Sequence, residues 1–273
     1  MVTGASGQLG IELSETLSAR GHEVIALSHK DLDISDSGSV ERVFARREPD
    51  LVLNAAAYTD VDGCENDPDR AYSVNALGPR NLARSCEESA AVFLHVSTNY
   101  VFDGRKAEPY ETSDLANPIS VYGSTKLAGE NLAQQHSTRL HIVRTAGVYG
   151  LGHNFVRTML RVGRERDSLK VKDDEYVSPT YARDLAEATH EIIGEEDYGI
   201  HHVTNAGSCS WFEFAEEIFA LTDIEVELTP VPSEQYPLPA ARPKNGVLAT
   251  DGAPRLRHWR EALADYLQHA AVV

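Results

Sequence analysis

The run Met1-Val2-Thr3 followed by Gly4-Ala5-Ser6-Gly7-Gln8-Leu9-Gly10 constrains the fold more than any other stretch. It reads as a strand end, a glycine turn and a helix with Leu9, Leu13 and Leu17 along one side. The glycines have separate duties: a tight turn, close approach of backbone to a pyrophosphate, and close packing of helix on strand, with the phosphate at the helix's positive end. Val24-Ile25-Ala26-Leu27 supplies a second strand where such a unit needs one. That context favours a dinucleotide site over a merely structural glycine turn. So short a central strand leads to the expectation of a truncated start or a misassigned initiator.

An acid that selects NAD is expected about 20 residues after the glycines, at the tip of the second strand. Glu23 precedes that strand, and the tip reads Ser28-His29-Lys30. With no carboxylate to repel a 2′-phosphate and a lysine near enough to attract one, NADPH is favoured and NADH remains open; Lys30 as a plain loop lysine is the alternative. Leu51-Val52-Leu53 is the third strand, with small residues after it at Asn54-Ala55-Ala56-Ala57. The strand Val92-Phe93-Leu94-His95-Val96 follows, in which His95 reads as a core histidine. It delivers Ser97-Thr98-Asn99-Tyr100 at its C-terminal end, and residues 109–118 form a loop expected to cover the site.

Tyr122 and Lys126, four residues apart on a helix, lie on one face one turn apart. A free tyrosine titrates near pH ~10, so neutral-pH acid–base use calls for a shift of roughly three units, which a fixed ammonium can supply. The pair alone is weak evidence, because most such pairs are an exposed helical face.

The chain has 273 residues and a formal charge of −17, from 42 acidic against 25 basic residues. That balance argues against nucleic acid or an anionic membrane as partner. It suits either a high-salt protein or an ordinary acidic cytosolic one. With no apolar run of membrane-span length and no leader-like segment, the expected location is the cytoplasm. Cys64, Cys86 and Cys209 have no paired spacing and read as reduced structural thiols.

Together, Gly4-x-x-Gly7-x-x-Gly10, Asn54-Ala-Ala-Ala-Tyr, Ser97-Thr98 and Tyr122-x-x-x-Lys126 resemble the short-chain dehydrogenase/reductase superfamily of the extended, sugar-nucleotide type. More closely the chain resembles dTDP-4-dehydrorhamnose reductases. The likeness covers nearly the whole chain, through Asp31-Leu32-Asp33-Ile34, Tyr100-Val101-Phe102-Asp103-Gly104, Ser178-Pro179-Thr180-Tyr181, Ser210-Trp211-Phe212 and Ala241-Arg242-Pro243. Two positions depart from the family: Asn99 stands where it has Asp, and Gly147 where it has a Trp, which removes a stacking surface.

The resemblance implies hydride transfer to a ketone carbon while Tyr122 protonates the carbonyl oxygen. Lys126 would lower the Tyr122 pKa, and Thr98, with Ser97 beside it, would bond the developing oxyanion. Candidate cofactor contacts are Gly4, Gly7, Gln8, Leu9, Ser28, Lys30, Asp33, Ala55, Ala56 and Ala57, with Tyr122 and Lys126. Candidate substrate contacts are Asn99, Tyr100, Asn154 and Arg242. Asn154 could equally be a helix cap, and Arg242 a surface ion pair. Dehydration is disfavoured, since related dehydratases carry Asp-Glu where this chain has Asn99-Tyr100. The alternatives are an epimerase or reductase of another nucleotide sugar, and a non-catalytic NADP-binding regulatory subunit. A homodimer is a family-level expectation. No metal is expected, because His201 and His202 on one strand face opposite sides.

The expected fold is α/β, a doubly wound parallel sheet of Rossmann type with a smaller C-terminal lobe. Residues 1–146 and about 178–196 would form the dinucleotide-binding domain, and about 147–177 and 197–273 the sugar-nucleotide lobe. Asn154 and Ser210 are placed at helix starts, Asp184 opens an amphipathic helix, residues 230–243 form a proline-rich loop, and the chain ends in a helix through Trp259, Leu263 and Leu267.

Overall fold

The computed structural model describes residues 1–250, 252 and 254–270. Its centre is a six-stranded parallel sheet in the order Gly199–His202, Leu140–Thr145, Val92–Thr98, Leu51–Asn54, Val2–Thr3 and Ala26–Leu27. Apolar runs in the inner strands send neighbouring residues to opposite faces. Val52, Phe93 and Ile142 meet Val40 and Phe44 of the helix Ser37–Arg47 and Leu82 and Cys86 of Gly78–Glu88. Leu53, Leu94 and Val143 meet Leu9, Leu13 and Leu17 of Gln8–Ala19 and Leu185 of Ala182–Ile192. The doubly wound arrangement is therefore present as expected, and even the two-residue first strand is paired on both sides.

A separate aromatic core joins Tyr149, Tyr181, Phe214, Trp259 and Tyr266. Around it lie the helices Phe155–Glu165, Trp211–Ala220 and Trp259–Ala270. Ser210 caps the second of these in a reciprocal box with Glu213, fixing where that helix starts. Asp184, in the first turn of its helix, is clamped by Arg257 at 2.8 Å through two nitrogens.

Three expectations change. Gly199–His202 is the edge strand of the main sheet, so the sheet extends past the boundary drawn at residue 196. The 230–243 stretch is not all loop: Pro230 lies in the strand Glu227–Val231, an edge position where a missing N–H is tolerated. Residues 109–118 do not cover the cavity described below. Tyr110 instead stacks on Phe102 and bridges to Leu248. His201 and His202 diverge as expected, the first toward His141 and the second toward the Tyr110 carbonyl. All three cysteines are free and buried. Burial pushes the Cys64 thiol up to about 11 and Cys209 up to about 12. Among the described residues, no helix is long and apolar enough to cross a membrane.

Candidate active site

Strand order reverses around Val2–Thr3, whose neighbours run off to either side, and a crevice opens there at the strands' C-terminal ends. It is a cavity of about 1220 Å³ that runs from Gly4, Gly7 and Gln8 past Thr98, Tyr122 and Lys126 to Tyr176, Trp211 and Arg242. That exceeds the roughly 300–1,000 Å³ of a pocket for one small ligand.

The glycine turn is a tight three-way contact. Gly4 has φ +67°, and a Cβ there would stand 2.6 Å from the Ala56 nitrogen. A Cβ on Gly10 would collide with the Gly4 carbonyl. Leu9, Ala55, Ala56, Ala57 and Asp33 also line the wall. Ser35 holds the Asp33 carboxyl below its ordinary value through its hydroxyl and amide, so a charged group stands at that end. Ser28 and Lys30 are not part of the wall: Ser28 bonds Asp31, and Lys30 is exposed. The cavity reaches His29 and Ser35 instead. The buried Gln8 Oε1 and Thr145 Oγ1, both on the wall, have no partner among the described residues and face the space where a polar ligand would lie.

Ser120 caps the helix Val121–His136, which carries Tyr122 and Lys126. Gly123 brings it against the Tyr100 carbonyl, where a Cβ would not fit, and Gly129 does the same against the Asn75 carbonyl. Glycine at these two positions seats the helix on the short turn that follows the strand Val92–Thr98 and on the π-helical turn Ser73–Leu77. Thr98 ends that strand, and its Oγ1 accepts from the Tyr100 N–H at 3.2 Å. Tyr100 packs edge-on to Tyr122, with ring centroids 5.5 Å apart.

Tyr122 differs from the expectation of an acidified phenol. Burial pushes its pKa up, only partly opposed by the Thr98 hydroxyl. The Lys126 nitrogen is directed to the Val96 carbonyl at 2.7 Å and stands 3.3 Å from His95 Nε2. Burial lowers Lys126 to about 8, with Glu130 opposing. The phenol is thus protonated at neutral pH, which is the form a proton donor needs. Ser97 is spoken for as well, since its hydroxyl donates to Glu130, leaving Thr98 as the hydroxyl beside Tyr122.

The four candidate substrate contacts all line the cavity. Asn99 is anchored, its amide donating to the Gly246 carbonyl at 2.9 Å. Asn154 serves as a helix cap: its oxygen accepts from the Arg157 N–H at 2.9 Å, and its nitrogen donates to the Gly150 carbonyl at 2.7 Å. Arg242 pairs with Asp62 at 2.8 Å, the ion-pair alternative, while still facing the cavity. Sequence reasoning missed Asp62 and the His95 contact, which join segments far apart in the chain. Tyr176 and Trp211 are aromatic residues on the same cavity wall as Gly147, and nothing in the spacing of Ser210-Trp211-Phe212 gave Trp211 a place there.

The family described as RmlD substrate binding domain matches residues 1–272. The chain belongs to this family. Its resemblance to dTDP-4-dehydrorhamnose reductases is thereby borne out. A spore coat polysaccharide biosynthesis protein of Bacillus subtilis is 42% identical over 98% of this chain and 96% of its own length. A dTDP-4-dehydrorhamnose reductase of Mycolicibacterium smegmatis is 41% identical over 100% of this chain and 85% of its own. The crystal structure of a dTDP-4-dehydrorhamnose reductase from Bacillus anthracis in complex with NADP superposes with a TM-score of 0.95, at 38% identity, covering 98% of both chains.

Proposed function

We propose that this chain is an NADPH-dependent reductase of a nucleotide-linked 4-keto sugar, converting dTDP-4-dehydro-L-rhamnose to dTDP-L-rhamnose. The observation that carries the reading is the placement of Thr98, Tyr122 and Lys126 on the wall of one cavity with the Gly4–Gly10 turn. The NADP complex of a family relative supports the choice of cofactor.

In this reading Gly4, Gly7, Gln8 and Leu9 hold the pyrophosphate end, with Asp33 and Ala55 to Ala57 along the same wall. The bound cofactor supplies hydride to the sugar's C4. Tyr122 donates its phenolic proton to the ketone oxygen, and Thr98 bonds that oxygen as charge develops. Lys126, as ammonium, steadies the phenolate that remains. Tyr100, Asn99, Trp211 and Arg242 shape the sugar-nucleotide end, where Arg242 can exchange Asp62 for a diphosphate oxygen. Residues 1–146 and about 178–196 carry the cofactor and the remainder the sugar nucleotide, with the strand Gly199–His202 joining the first group. Cytoplasmic residence, a homodimer and indifference to nucleic acid belong to the same reading.

The test is loss of reduced-nicotinamide absorbance on adding dTDP-4-dehydro-L-rhamnose, with NADPH and NADH compared. Turnover with NADPH is the expected result. No oxidation with this or any other 4-keto sugar nucleotide would overturn the proposal.

A further inference from the structure

Behind Lys126 runs a fully buried chain of side chains whose hydrogen-bond roles can be assigned one by one. The Thr3 hydroxyl donates to Asn54 Oδ1 at 2.7 Å, and the Ala56 N–H donates to the same oxygen at 3.2 Å. A backbone N–H cannot accept, so the Asn54 amide is fixed with its NH₂ on the far side. That NH₂ faces His95 Nδ1 at 3.0 Å, which must therefore accept. Burial and the nearby Lys126 lower the His95 pKa well below its ordinary value, so the ring is neutral and carries one proton. That proton is on Nε2, which points at the Lys126 nitrogen 3.3 Å away.

An ammonium has no lone pair with which to accept this N–H; a neutral amine does. We propose that His95 is a positioning residue for Lys126: locked by Asn54 as its Nε2–H tautomer, it donates to the lysine nitrogen and stabilises the neutral amine. The other groups around Lys126 are few. Tyr122 and Glu130 share its helix, and Glu130 is engaged by Arg144 from the neighbouring strand. Cys64 and Tyr100 face Tyr122, and both are held neutral by burial. Burial of Lys126 itself acts in the same direction as His95.

The inference deepens the proposed reductase reaction and rests on it for its catalytic meaning. The ammonium is the form that steadies a Tyr122 phenolate, so His95 sets the pH above which that form is lost. The alkaline limb of kcat/KM then reports Lys126.

The chain has six lysines, so labelled-lysine Cε NMR of the free full-length protein can follow Lys126, assigned by its absence in Lys126→Met. In the wild type it is expected to titrate near pH 8, in line with its lowered value. His95→Asn keeps an acceptor for Asn54 but falls short of Lys126, and should raise that midpoint by about half to one pH unit. His95→Gln keeps a donor at the Nε2 position and should leave it in place. The alkaline limb of kcat/KM should move with the midpoint. Ring-nitrogen shifts of wild-type His95 test the tautomer without any substitution. An Nδ1–H ring, a wild-type Lys126 titrating at the ordinary lysine value, or one midpoint shared by all three proteins would overturn the proposal. Because the titration is read without substrate or cofactor, a failed NADPH assay would remove the reductase reading and leave this result to stand alone.

Discussion

Glu130 and Arg144 form a bidentate ion pair under the cavity floor, with Arg144 Nη2 2.6 Å from Glu130 Oε2 and Nε 3.0 Å from Oε1. Their side chains are only 1% and 4% exposed. The pair ties the helix that carries Tyr122 and Lys126 to the strand Leu140–Thr145. Either single substitution, Glu130→Leu or Arg144→Met, strands a buried charge and should lower the unfolding free energy by about 3–5 kcal/mol. The double substitution should lose much less than the sum, as read from denaturant unfolding. Additive losses would show that the two do not act as a pair.

Tyr122→Phe removes the proton donor while keeping the ring that packs on Tyr100. The expected loss in kcat is about 10² to 10⁴. NADP⁺ affinity, followed by fluorescence, should change little, because the phenol acts on the ketone oxygen. A variant with unaltered kcat would leave the reaction without its acid.

Arg242 lowers the pKa of Asp62, chiefly through the hydrogen bond between them. A carboxyl whose folded value lies below its unfolded value contributes stability above the unfolded value of ~4 and loses it as pH falls through the folded one. Thermal midpoints of wild type and Asp62→Asn should therefore differ at pH 7 and converge as pH falls below the lowered folded-state value. A difference that persists into strong acid would place the effect of Asp62 outside this pair.

Gly10→Ala sets a methyl group against the Gly4 carbonyl. Both partners are backbone, so the helix must move off the turn, at about 1–3 kcal/mol. The NADP⁺ dissociation constant should rise more than tenfold, a change of about 1.4 kcal/mol or greater. Unchanged affinity would mean that the turn does not cradle the pyrophosphate.

Much of this was readable in the chain because the signals were local. The glycine turn, the Tyr122 to Lys126 spacing and the residues delivered by the strand Val92–Thr98 each declare themselves within a few positions. What escaped depends on contacts between distant segments. His95 looked like core because it sits in an apolar run, and it is wholly buried; only the packing of the helix Val121–His136 brings Lys126 to it. Lys30 misled in the opposite way. It has suitable chemistry at a suitable distance in sequence, but Ser28 is bonded to Asp31, and Lys30 is exposed next to the wall residue His29 rather than on the wall itself. Likewise nothing near Arg242 in the chain announces Asp62, 180 positions earlier.

The π-helical turn Ser73–Leu77 gives one residue count a lasting meaning. Within it Asn75 accepts from the Tyr58 N–H and donates to the Tyr58 carbonyl and to Thr125 Oγ1, stitching the cavity wall to the helix of Tyr122. Removing one residue here would restore ordinary winding and take away the wide turn from which Asn75 reaches both Tyr58 and Thr125. The chain could respell this turn more readily than shorten it.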